Sequence, residues 1–574
     1  MDADRDGAVD DRVAPPSWTQ TSGGILLVNC DNDDDKSAAD PRENLDCADQ
    51  TINGGTDLPE IAPLDLRKSS DMPLDNAQVI LSLDTTVTDY TQMVRIFSTR
   101  VAGGTEIIGP NIGSEKTFSE ADFTDGKIEL GMEAIRFPSS SQGGKSIEFN
   151  GRVPIRLRVV AADGTELHAA RTEVHVAPWF VFNHKDVTET VYVAEITGEG
   201  IFSDNDGLFL SELRRIIGGK LQVVPYAEVS GPRGGDRWAQ DVMEIGHSAM
   251  PGKKLVTAIR TPTHRDQADD RFGSYVGRHI LSPDFGFMQT NDLELDRNSL
   301  NSFGNLECSP PLPRYPFGRI VYGEPVTASH HSPMREEMRA LLEGNVIQSP
   351  IRVDTGWLAV GHVDEFMSFI PDPAGTHGFR IAFASPQRAM EIVRRVHGVN
   401  PSARLLDGIR ANDRSAFTHA MIRSDLTQYA SQLTVGQIMG DTAFKAIQER
   451  VQLILDAQKR TLRTGLGLSD SDFIEMPILF QGSGSQHIAF TPGSANMLVV
   501  THAPNRLDLV IPKPFGPMQG TACQFEADIA AAFAGNAGAT LHFVDCFLTY
   551  HRMAGEIHCG TNSKRIPPAR NWWS

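Results

Sequence analysis

The 574-residue chain predicts two fold classes in succession, an all-β unit followed by an α/β unit. Three observations predict this. Short alternating or β-branched runs broken by Gly, Asp and Ser turns continue up to Val176. Beyond them strand-like and helical runs alternate, the pattern of an α/β protein. Between the two, Ala177-Pro178-Trp179 punctuates the change of style.

Residues 1–19 are acidic, contain proline and lack apolar periodicity, so a disordered tail is expected. Strands are expected over Gly24–Val28, Ala77–Leu83, Met93–Phe97, Ser146–Phe149, Ile155–Val160 and Thr172–Val176, which together read as an antiparallel β-sandwich over 20–177. Helices are expected over Met334–Leu342, Pro386–His397, Ala443–Arg463 and Gln524–Phe533, inside an α/β unit spanning 178–574 with no detectable sequence repeat. The β-rich run Trp357–Ile370 puts His362 and Asp364 on one side of a strand by its period of two. Read as extended, Trp238–Gly246 sets Gln240 and Glu244 on one face and Asp241 on the other.

Composition narrows the function classes. With 40% apolar and 22% charged residues the chain can bury a core. No run approaches the ~20 apolar residues of a membrane span, and the first residues lack the basic and apolar regions of a signal peptide, so a cytoplasmic protein without a membrane partner is expected. A net charge of −20 argues against a nucleic-acid partner and favours cationic ones, arginine-rich peptides or calcium. The six cysteines are scattered without a CxxC pair, so neither a zinc site nor a disulfide framework is indicated.

Cys559 lies in the polar, glycine-flanked run Gly555-Glu-Ile-His-Cys-Gly-Thr-Asn562 and is a candidate nucleophile. With Asp241, His362 and Asp364 it completes the residue types a thiolate enzyme acting on a cation needs. A guanidinium has five N–H donors, stays charged and is costly to bury alone, so two carboxylates suit it. A free thiol is only ~3% thiolate at pH 7, so attack needs a lowered pKa or help from the bound cation. His362 would then protonate departing ammonia and activate water, converting an arginine side chain to citrulline. The bland reading of His362 and Asp364 is a strand pair that satisfies itself. For the acidic run Asn29-Cys-Asp31-Asn-Asp33-Asp-Asp, followed by Asp40, it is a solvated loop.

Taken together, His362-Val-Asp364-Glu-Phe, Trp238–Gly246, Ser282-Pro-Asp-Phe-Gly286, Ser302-Phe-Gly-Asn-Leu-Glu307, Lys513-Pro-Phe-Gly-Pro517 and Thr549-Tyr-His to Cys559-Gly-Thr-Asn resemble the calcium-dependent protein-arginine deiminases, from about Gly24 to Trp573. The resemblance implies a five-bladed α/β propeller of the guanidine-modifying superfamily behind an immunoglobulin-like β-domain. It implies Cys559 as nucleophile, His362 as general acid and base, and Asp241 and Asp364 as the carboxylates that grip the guanidinium. Arg265 would bind substrate backbone carbonyls and Trp238 would wall the arginine channel. Calcium beside the active centre would be held by Gln240, Glu244 and Glu307 and by the carbonyls of Phe303 and Leu306. Further calcium sites would use Asn29, Asp31, Asp33, Asp40, Asp57 and Glu60 with Asp284. A second catalytic-domain calcium site departs from the family pattern, with Val242, Arg260 and His264 at its ligand positions, so fewer ions are expected. The family's vertebrate members carry an additional first immunoglobulin-like domain, and the oligomeric state is left open. Two rivals remain at this stage: a small-molecule guanidine deiminase or amidinotransferase, and a non-enzymatic calcium-binding module.

Overall fold

Period-two patterning folds the N-terminal part into two facing sheets. One runs in the order Ile25–Leu26, Glu166–Val176, Arg152–Ala161, Ala77–Leu83, Glu115–Phe118, and the other in the order Ala62–Arg67, Lys127–Ala134, Val94–Phe97, Glu106–Ile108. Ala77–Leu83 alternates buried and more exposed positions, so Val79, Leu81 and Leu83 point inward. They meet Leu64, Leu66, Val94, Ile96, Leu130 and Met132 of the other sheet in one apolar cluster. These coordinates are a computed structural model, which describes residues 1–574 except 8, 10–13, 35, 39, 70–73, 85–87, 141–147, 197–208, 231–234, 264–270, 291–297, 327–330, 408, 410–432 and 505. Arg265 and His264 therefore lie outside the described residues, as do Ser146 and Ile147 of one expected strand.

The described part of residues 1–19 differs from the disordered tail that composition suggests. Met1, Ala3 and Trp18 are buried in the sandwich cluster. Trp18 stacks on Trp572 at 5.8 Å, and Thr172 Oγ1 donates to the Pro15 carbonyl. A few large apolar side chains outweigh the polar composition around them, because each contributes about 1.5–3 kcal/mol when buried.

Past Pro178 five small sheets follow one scheme: a central strand pairs antiparallel on one side and parallel on the other. The central strands are Lys253–Arg260, Ile320–Glu324, Phe379–Ser385, Arg506–Pro512 and Thr188–Ala194. Each parallel pair requires a long crossover, which is where the helices sit. Pro386–Val399 starts at an N-cap Ser385 with proline in its first turn. Thr442–Leu466 starts at an N-cap Asp441 and ends at Gly467, whose φ of 69° a side chain would strain. The expected helices Met334–Leu342, Ala443–Arg463 and Gln524–Phe533 correspond to Glu336–Gly344, Thr442–Leu466 and Gln524–Phe533. Among the described residues no sheet closes on itself, and no helix is long and apolar enough to cross a membrane.

In the last of these sheets the C-terminal strand Thr561–Arg565 pairs with Thr188–Ala194, a strand near the start of the unit. Arg565 secures the join by donating to the carbonyls of Asp186 and Val499 and to Thr188 Oγ1. Cys559, two residues before this strand, is thereby carried back to the segment around Gln240, whose N–H donates to the Cys559 carbonyl at 3.1 Å.

Two local expectations need correction. His362 and Asp364 are not on a strand: Val363–Glu365 form a 3-10 turn, with Glu365 accepting from the backbone N–H groups of Gly361 and His362. Ala239–Val242 is a helical turn ahead of the strand Met243–Met250, so Gln240 and Glu244 meet through (i, i+4) proximity. At His362 side-chain bonds to the backbone, and at Gln240 a side-chain bond to Glu244, accompany the departure from an extended chain.

Candidate active site

Four side chains from three distant stretches converge in a nearly dry pocket. Asp241 lies in the helical turn, His362 caps the 3-10 turn that contains Asp364, and Cys559 sits in the loop before the last strand; their exposures are 7%, 1%, 1% and 4%. Cys559 Sγ donates to Asp364 Oδ2 at 3.2 Å, and the same oxygen accepts from His558 Nδ1 at 3.0 Å. Asp241 Oδ1 is 3.6 Å from His362 Nδ1. His362 Nε2 is 2.8 Å from the Ser299 carbonyl. A carbonyl only accepts, so Nε2 donates there and Nδ1 is the ring nitrogen turned toward the two carboxylates. Gly304 packs at the centre: a methyl there would lie 2.6 Å from His362 Nδ1, 3.0 Å from Asp241 Oδ1 and 3.1 Å from Asp364 Oδ2.

Burial, with the negative charges of Asp364 and Asp241 added to it, pushes the Cys559 thiol well above its usual range. An opposing donor is built in. Asn496 Nδ2 donates to Sγ at 3.0 Å, while its Oδ1 accepts from the N–H groups of His558 and Cys559. His558 is raised to about 9: burial disfavours its charge, but the bond to Asp364 and the nearby Glu307 and Glu244 outweigh it. The site is thus rich in anions, the environment that favours a bound cation.

Beside the sulfur lies a second polar pocket, a cavity of ≈ 40 Å³ lined by Gln240, Glu244, Leu306, Glu307 and His558 among others. Gln240 Nε2 donates to Glu244 Oε2 at 2.7 Å and to the Phe303 carbonyl at 3.4 Å. Burial raises Glu244 to about 8 and Glu307 to about 7, and Glu307 Oε1 is buried without a hydrogen-bond partner. Oxygen ligands from Gln240, Glu244 and Glu307, an orphaned carboxylate oxygen among them, fit a hard cation. Arg260 is 6% exposed and donates to Gln289 Oε1.

At the N-terminal cluster, ligand atoms of Asp33, Asp46, Asp57 and Glu60 lie within 4.8 Å of one another, a group that could hold a metal ion. Asn29 bridges Asp57 and Glu133, and Asp31 accepts from the Asp284 N–H. Lys253 forms ion pairs with both Glu60 and Asp284. Asp40 is placed differently, in an exposed ion pair with Arg42, because the following turn holds both side chains together. Trp238 packs against Tyr550 at 5.6 Å and crowds Gly555. Sequence reasoning missed Asn496, Asp46 and His558 as site groups. Nothing local distinguishes Asn496 from a turn residue; the signal for His558 was its place beside Cys559.

A family model for protein-arginine deiminase matches residues 167–574, and one for its middle domain matches residues 1–157. Human protein-arginine deiminase type-3 is 30% identical over 96% of this chain and 78% of its own length. Mouse protein-arginine deiminase type-1 is also 30% identical over 96% and 78%, and the human type-4 protein is 29% identical over the same shares. Among solved structures, agmatine deiminases of C. jejuni and Enterococcus faecalis align with TM-scores of 0.37 each. They are 11% and 12% identical, over 68% and 67% of this chain and 98% and 96% of theirs. On the strength of the sequence relatives and the two family models, the chain belongs to the protein-arginine deiminase family.

Proposed function

We propose that this chain hydrolyses the guanidinium of arginine in proteins or peptides, giving peptidyl-citrulline and ammonia through a covalent thiouronium on Cys559. The observation that carries the reading is the single carboxylate oxygen, Asp364 Oδ2, that takes hydrogen bonds from both the Cys559 thiol and His558 in a pocket also walled by Asp241 and His362.

An arriving guanidinium exchanges its water for Asp241 and Asp364, whose two charges offset the cost of burying it. Its positive charge beside Sγ reverses the field that keeps the thiol protonated, and the Asn496 N–H stabilises the sulfur as its proton passes to His362 Nδ1. The thiolate attacks the guanidinium carbon, forming a C–S bond. His362 protonates the departing nitrogen, which leaves as ammonia as its C–N bond breaks. His362 then takes a proton from water, whose oxygen attacks the thiouronium carbon. Collapse breaks the C–S bond, frees the sulfur and leaves a ureido group. Trp238 would line the channel for the arginine stem and Arg265 would hold substrate carbonyls.

Gln240, Glu244 and Glu307, with the carbonyls of Phe303 and Leu306, would hold calcium. When bound, it supplies positive charge beside the loop that carries the nucleophile. The acidic cluster of Asn29, Asp31, Asp33, Asp57, Glu60 and Asp284 would hold further ions between the two units. We also read the five sheets as blades of a propeller over 178–574 behind an immunoglobulin-like domain over 20–177; their shared pairing scheme and the pairing of the C-terminal strand with Thr188–Ala194 support this.

The test is citrulline and ammonia formation from a blocked arginine peptide, with and without chelator, alongside free arginine. Calcium-dependent turnover of the peptide, poor turnover of free arginine and loss of ammonia release in Cys559→Ser are expected. Equal use of free arginine in the presence of chelator would replace this reading with that of a small-molecule deiminase. Undiminished turnover by Cys559→Ser would remove the nucleophile.

A further inference from the structure

His184, Glu307 and His558 each turn one ligand atom toward the cavity beside the nucleophile, and those atoms lie within 4.8 Å of one another. Their supports are those of a built site. His184 Nδ1 is 2.6 Å from the Phe369 carbonyl; it must donate there, so Nε2 keeps its lone pair. His558 Nδ1 donates to Asp364 Oδ2, and its Nε2 is 3.8 Å from Glu307 Oε1. Glu307 is 5% exposed, and that oxygen has no hydrogen-bond partner. Metal-binding histidines are held in this way, with the far ring nitrogen tied to a carbonyl or carboxylate.

Two imidazole nitrogens and one carboxylate favour a borderline transition metal over calcium, which takes oxygen ligands only. The two rings are 6.3 Å apart at 72°. A tetrahedral ion with ordinary zinc–nitrogen bonds would bring their centres to about 5 Å, a shift of roughly an ångström. Arg565 also lines this cavity, and its guanidinium is committed to the carbonyls of Asp186 and Val499.

We propose that His184, Glu307 and His558 form a site for a divalent transition-metal ion of the zinc class, which competes with the hard cation through their common ligand Glu307. Only the competition rests on the calcium reading above; binding stands on these three side chains.

The experiment is a cobalt(II) titration of the metal-stripped full chain, followed by its visible spectrum. One equivalent should give the bands of a four-coordinate ion without a thiolate charge-transfer band, and zinc should remove them. His184→Asn should weaken binding at least about tenfold while keeping calcium-dependent citrulline formation, and Cys559→Ser should keep the cobalt bands. The proposal is overturned if no cobalt binds, if His184→Asn binds as the parent does, or if Cys559→Ser abolishes the signal. Should His184→Asn fail to fold, the anomalous scattering peak of a cobalt-soaked crystal decides, by lying between these three side chains or elsewhere. A chain that turns over without binding cobalt sinks this site alone, whereas one that binds cobalt without forming citrulline sinks the deiminase reading alone.

Discussion

Gly304 shows how little space the chemistry leaves. The point where its Cβ would stand is within 3.1 Å of His362 Nδ1, Asp241 Oδ1 and Asp364 Oδ2, so Gly304→Ala must push at least one of them aside. Overpacking of this kind costs about 1–3 kcal/mol of stability, yet a shift approaching an ångström in a reacting group can cost about 100-fold in rate. We expect Gly304→Ala to stay folded and lose roughly 100-fold in kcat/KM; turnover within twofold of the parent would show that these groups do not converge in the working enzyme. The same cluster shows what a sequence can disclose at this scale. Cys559, His362, Asp241 and Asp364 were legible because their residue types are chemically demanding and their flanks unusual. Asn496 was not, since its donation to Sγ and its grip on two backbone N–H groups depend on a loop that lies 63 residues away in the chain.

Elements were legible where one force dominates. The helix Gln524–Phe533 and the strand Ala77–Leu83 have the bounds that periodicity indicates. The segments carrying His362 and Asp241 were misread because capping and (i, i+4) bonds reshape a few residues inside β-rich surroundings. The hairpin between Met243–Met250 and Lys253–Arg260 carries a testable consequence. From it Lys253 reaches Glu60, which is 0% exposed in the N-terminal unit, and Asp284 at 2.5 Å. Removing one partner of a buried pair is far costlier than the pair is worth, typically about 3–5 kcal/mol. Lys253→Met should therefore destabilise the metal-free protein by about 3 kcal/mol, and added calcium should recover much of that if ions take over the neutralisation of Glu60. A thermal melt in chelator that matches the parent would show that Lys253 is not part of the join.

Across the molecule, two apolar patterns foretold an all-β unit before an α/β unit, but the fivefold recurrence of strand order was invisible because it is carried by backbone pairing without repeated residues. The price of gathering so many carboxylates under a net charge of −20 is a pH-dependent metal-free state. Burial raises Glu244 to about 8, Glu307 to about 7 and Asp46 to about 9. Acids whose folded pKa exceeds the unfolded value of about 4 bind more protons when folded. Their contribution is complete below about pH 4 and is lost as pH rises through about 7 to 9. Histidines act from the other side. Burial lowers His247 to about 3 and His175 to about 4, so below about 6.5 the unfolded chain takes up protons that these rings refuse. Stability falls there as pH falls. The two trends place the maximum for metal-free protein near pH 6, and calcium should flatten the alkaline limb because it binds the ionised carboxylates. Melting in chelator at pH 5, 6 and 8.5 should give its highest midpoint at pH 6, with calcium raising the pH 8.5 midpoint most. A metal-free midpoint that climbs steadily from pH 6 to 8.5 would mean that these carboxylates are already ionised in the folded chain, and that the pockets they line are far wetter than their burial implies.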